Sequence, residues 1–84
     1  MNNSNKQLEN SILRLLSEIR PEFDFTNSAN FIEDGMLDSF DIVQLVDSLD
    51  SEFGISIDGL DIVPYNFTTL SKISGLLTKN GISL

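Results

Sequence analysis

Three serines in this sequence follow an aspartate, at Asp38-Ser39, Asp47-Ser48 and Asp50-Ser51. A carboxylate beside a hydroxyl can cap a helix or flank a site of modification, and position separates the two uses. Ser48 and Ser51 fall on the polar side of an amphipathic segment and read as ordinary surface residues. Ser39 falls where a loop rich in apolar side chains turns into that segment. At a helix start, free backbone N–H groups and the helix dipole favour an anion, so a phosphate ester on the Ser39 hydroxyl is electrostatically welcome. The competing local reading is a cap. Asp38 or Ser39 then satisfies those donors, with Asp41 as a weak capping-box partner.

Other chemistries are missing from the chain. It has no cysteine and no histidine, which removes disulfides, Cys/His zinc sites and any Ser-His or Cys-His nucleophile pair. No segment reads as a calcium-binding helix-loop-helix. Five basic and thirteen acidic residues give a net charge of −8, which argues against nucleic acid or an anionic membrane as partner. Eleven of the thirteen acids lie between Arg20 and Lys72, a stretch without one basic residue. Such a field either attracts basic patches on partner proteins or serves solubility alone. No apolar run approaches the roughly 18 residues of a membrane span, and the first residues do not resemble a signal peptide. A soluble cytoplasmic protein is expected.

The elements that must hold Ser39 are helices. With 84 residues the chain amounts to one domain, of about 5,000 Å² folded surface. Over residues 6–19, Leu8, Ile12, Leu15, Leu16 and Ile19 form one apolar stripe, capped by Asn2, Asn3, Ser4 or Asn5 and ended by Pro21. Residues 21–38 have no sustained period, but Phe23, Phe25, Phe31, Ile32, Met36 and Leu37 predict a packed loop. A second helix is predicted over Ser39–Phe53, with Ile42, Val43, Leu45, Val46, Leu49 and Phe53 in one arc of about 160° and Gly54 as C-cap. Asp58 to Asn66 has room for one helical turn, disturbed by Pro64. The last helix is predicted from Thr68 or Thr69, burying Leu70, Ile73, Leu76 and Leu77, with Lys79 near its end and Asn80-Gly81 closing it. The fold class is all-α: a small bundle of three main helices plus one short helix, with a long loop between the first and second.

The stretch from Asp34 to Phe53, with Asp38-Ser39 leading into Val43, Leu45, Val46, Leu49 and Phe53, resembles the signature of acyl and peptidyl carrier proteins. The resemblance continues through the first helix, the long loop and Asp61-Ile62-Val63-Pro64-Tyr65-Asn66-Phe67-Thr68-Thr69-Leu70. It implies a single carrier domain over residues 1–84, not an enzyme, with 4′-phosphopantetheine from coenzyme A attached covalently at Ser39. By the same resemblance Asp38 helps hold the metal of the transferase, the chain having no metal site of its own, and Met36 and Leu37 form the loop edge beside the arm. Asp41, Gln44, Asp47 and Asp50 fall where the second helix meets partner enzymes. Phe40 stands where the family most often has leucine, as either an exposed docking anchor or packing over the loop.

Intermediates are then held as thioesters and handed on. The implied partners are a phosphopantetheinyl transferase, an acyl- or aminoacyl-loading ligase, and a downstream acyltransferase, synthase or condensation enzyme, meeting a monomeric carrier. Gln44, Asp47 and the Asp61–Phe67 segment differ from fatty-acid carriers. They resemble free-standing carriers of aminoacyl, nonribosomal-peptide or D-alanyl transfer, so a specialised pathway is expected before housekeeping fatty-acid synthesis. A different class is an acidic helical adaptor that binds a basic partner non-covalently, with Ser39 only a cap.

Overall fold

In a computed structural model, which describes residues 3–81, Leu8, Ile12, Leu15 and Leu16 are all buried along one side of helix α1 (Asn3–Ile19). The helix starts before residue 6, so Asn3, Ser4 and Asn5 lie within its span. Asn2 lies outside the described residues. Helix α2 (Ser39–Phe53) buries Ile42, Leu45, Val46 and Leu49 against the same core. It ends at Gly54, whose φ of 63° is a left-handed conformation open to glycine at low cost, and the Gly54 N–H donates to the Asp50 carbonyl. Helix α3 (Leu70–Lys79) is capped by the Thr69 hydroxyl and buries Ile73, Leu76 and Leu77. Among the described residues there is no strand, and the three helices enclose one core, as the apolar spacing predicts. The accessible surface is 4981 Å², against the roughly 5,000 Å² expected from chain length.

The long connection between α1 and α2 is packed. Phe25, Phe31, Met36 and Leu37 are buried, and the Phe25 and Phe31 rings meet edge to face at 5.1 Å. Asn30 accepts the N–H groups of Ile32 (3.1 Å) and Glu33 (2.9 Å), while the Phe31 N–H donates to the Thr68 carbonyl at 2.8 Å. The loop is thereby tied to the start of α3 and delivers the chain to Asp38 in a fixed direction.

Two features of the sequence reading change. In place of one short helix disturbed by Pro64 there are two 3-10 turns, Gly59–Asp61 and Pro64–Phe67. Pro64 opens the second of these, because the first helical position needs no N–H donor. Val43, placed in the apolar arc, is 61% exposed. The buried stripe of α2 is narrower than the wheel allows, and Val43 stands at its edge beside the turn segment.

Candidate functional site

Ser39 is the first residue of α2, and Asp38 is its N-cap in extended conformation. The Asp41 N–H donates to Asp38 Oδ1 at 2.9 Å, and the Asp38 N–H donates to Asp41 Oδ2 at 3.0 Å. This is a complete capping box built from two aspartates. Asp38 therefore takes the capping role, and the exposed Ser39 hydroxyl makes no hydrogen bond among the described residues. Ser48 is half-buried within α2 and Ser51 is exposed near its end, so neither stands at a helix start.

Two carboxylates in one box repel, and Arg20 compensates. Its Nε donates to Asp41 Oδ2 at 3.0 Å, Nη1 to Glu22 at 3.2 Å, and Nη2 approaches Asp38 Oδ2 at 3.5 Å. The hydrogen bond from the Asp41 backbone holds the Asp38 carboxyl below its ordinary value of 3.8, and the Arg20 charge adds to that. The bonds to Asp41 and Glu22 raise the Arg20 guanidinium above its ordinary value. No reading of the sequence singled out Arg20. The available signal was its place as the last cation before the acidic stretch, next to a helix-ending proline.

Beside Ser39 is a cleft of about 130 Å³ lined by Ser39, Ile42, Val43, Ile62 and Pro64. Apart from the serine these are apolar side chains, so a free hydroxyl stands at the mouth of an apolar trough. A flexible arm esterified to Ser39 fits that arrangement, with Ile42, Val43, Ile62 and Pro64 as the surfaces it can lie against. Met36 and Leu37 do not supply them. Both are buried in the core, at 8% and 3% exposure, because Met36 and Leu37 bond by their N–H groups to the Phe31 carbonyl and turn inward.

The expected docking residues divide. Phe40 is 74% exposed, which excludes the packing alternative, and Gln44 and Asp47 are exposed beside it on α2. Asp41 is not a surface residue. It is buried at 4% exposure, because the capping box and Arg20 draw it inward, so its carboxylate is not presented to a partner. Asp50 is half-buried and uses Oδ1 to accept the Ile57 N–H at 3.1 Å, which commits that oxygen to the link after α2. No cluster of three or more metal-ligating side chains occurs among the described residues.

The family described as "Phosphopantetheine attachment site" matches residues 7–77, which contain α2, the cleft and most of α1 and α3. The chain belongs to that carrier family. It is also 35% identical over 80 residues to an acyl carrier protein of Buchnera aphidicola subsp. Schizaphis graminum, covering 95% of this chain and 98% of that protein. The family domain is the site of covalent 4′-phosphopantetheine attachment, so the chain is a carrier and not an enzyme. It works with modifying and pathway enzymes. No helix among the described residues of this carrier is long and apolar enough to cross a membrane.

Proposed function

We propose that residues 1–84 act as one carrier domain that bears 4′-phosphopantetheine on Ser39 and delivers acyl, aminoacyl or peptidyl groups in a specialised biosynthetic pathway. The observation that carries this reading is the exposed, unbonded Ser39 hydroxyl at the first position of α2, at the mouth of the apolar cleft. Once attached, the arm supplies a thiol, a group the chain lacks, and so allows cargo to be held as a thioester. The protein's own contribution is mechanical and electrostatic. The capping box fixes the first turn of α2, the cleft offers an apolar surface to the arm, and the outer face of α2 offers Phe40, Gln44 and Asp47 to enzymes.

Charge-steered docking is fast and weak, which suits repeated handover between a phosphopantetheinyl transferase, a loading ligase and a downstream synthase or condensation enzyme. An exposed aromatic beside the attachment point, with the acid Asp47 about two helical turns along the same face, supports a partner set unlike that of fatty-acid synthesis. A monomer working in the cytoplasm is part of this reading.

The test is incubation with coenzyme A and a broad-specificity transferase, followed by intact mass and peptide mapping. One phosphopantetheine on Ser39 is expected, and none on a Ser39→Ala variant that retains Ser48 and Ser51. The thiol count should rise from zero to one, fall on loading with cargo, and return after hydroxylamine. Modification of Ser39→Ala, or none of the parent, refutes the assignment.

A further inference from the structure

Arg20 is the last residue fixed by α1: its N–H still donates to the Leu16 carbonyl at 2.9 Å, and Pro21 then turns the chain. From that base its guanidinium reaches 21 residues ahead to Asp41. Asp41 Oδ2 accepts both the Arg20 Nε–H and the Asp38 N–H, each at 3.0 Å. The contact to Asp38 itself, at 3.5 Å, is too long to be a strong hydrogen bond. Arg20 thus acts chiefly on the buried carboxylate, and Asp41 passes the constraint to the residue before Ser39. Among the described residues, Arg20 is the one cation that pairs with Asp38 or Asp41.

We propose that Arg20 is a positioning residue for the attachment chemistry at Ser39: it neutralises buried Asp41, so that Asp41 can hold Asp38 and fix the first turn of α2. The inference rests on Ser39 being the attachment site. In that transfer the Ser39 oxygen bonds to the pantetheine phosphorus of coenzyme A, the bond to the departing adenosine bisphosphate breaks, and the hydroxyl proton passes to a base of the transferase. A displaced hydroxyl loses rate in such an in-line step even where binding is intact.

The experiment is a cycle of Arg20→Gln, Asp41→Asn and the double variant, with Arg20→Lys as the conservative change. Each is assayed with coenzyme A and a broad-specificity transferase, at a temperature where circular dichroism shows all of them folded. Arg20→Gln should lower kcat about 10-fold or more with little change in KM, and Arg20→Lys should recover much of it. In the Asp41→Asn background there is no charge to neutralise while the amide oxygen can still accept the Asp38 N–H. There Arg20→Gln should cost less than about 2-fold. Carbon NMR of the Asp38 carboxyl, which needs no transferase, should titrate at higher pH in Arg20→Gln and return part-way in Arg20→Lys.

A loss confined to KM makes Arg20 a docking contact and overturns the inference. So does an equal loss in both backgrounds, or an unchanged kcat. If Arg20→Gln is unfolded, the comparison of Asp41→Asn with the double variant still decides: a large loss of kcat between them overturns the inference. An unmodified parent overturns the attachment reading itself, and is read separately.

Discussion

Replacing Asp41 by alanine should destabilise the protein, although a helical wheel places the residue on the polar side of α2. The side chain is 6% exposed and accepts two hydrogen bonds, one from the Asp38 backbone and one from Arg20. Loss of the capping half is worth about 1 kcal/mol. The ion pair adds about 1 kcal/mol and not the figure for a fully buried pair, because the Arg20 side chain keeps 34% of its exposure and water can resolvate it. The total of about 2 kcal/mol corresponds to a fall in Tm of about 8–16 °C for a domain of this size. Asp41→Lys should be worse, since it sets an ammonium against Arg20 at a buried position. Asp41→Asn, which keeps an acceptor, should cost roughly half as much as alanine. Urea and thermal unfolding by circular dichroism measure all three. If Asp41→Ala melts within about 2 °C of the parent, the carboxylate is not part of the fold's support and the capping-box argument fails.

Phe40→Ala should change stability by no more than about 1 kcal/mol, since a ring that is 74% exposed buries only about 50 Å². Handover to a cognate enzyme should nevertheless fall, and a large drop in Tm with normal turnover would contradict the docking role. Asp47→Lys should leave the melt within about 0.5 kcal/mol of the parent yet weaken enzyme affinity, and added salt should weaken the parent likewise. Affinity that is flat from low to high salt would reduce the acidic face to a solubility feature. The Asp38 carboxyl lies below its ordinary 3.8 in the folded protein, so folding favours its ionised form. That contribution is complete above about pH 5 and is lost as pH falls through the lowered folded value. The stability difference between the parent and Asp38→Asn, measured by urea unfolding, should therefore be constant at neutral pH and move against the parent below about pH 4.

Apolar spacing made the three helices legible because burial is periodic: Ile12, Leu16, Leu45, Leu49, Ile73 and Leu77 each sit where the wheel puts them. Ser39 was legible because a helix start is a local event, marked by Asp38 and a change from irregular to periodic sequence. What was hidden depends on contacts between distant residues. Asp41 has the address of a surface acid until Arg20, 21 positions earlier, reaches it. The cleft walls Ile62 and Pro64 come from a segment without helical period, and nothing in its spacing says that it folds back onto α2. Met36 and Leu37 are adjacent to the site in sequence, yet the turn at Gly35, with φ of 73°, and the bonds to Phe31 direct them into the core.

The bond from the Phe31 amide to the Thr68 carbonyl has a consequence for how the protein opens. Loop amides usually exchange their hydrogens during small local fluctuations. Phe31 is 1% exposed, and its amide cannot reach water unless the loop parts from the segment that starts α3. In deuterium this one amide, inside a stretch without regular structure, should exchange as slowly as the centres of the helices. The chain on either side of Ser39 would then open and close as a single cooperative unit, so that each enzyme meets the same rigid platform while only the attached group swings.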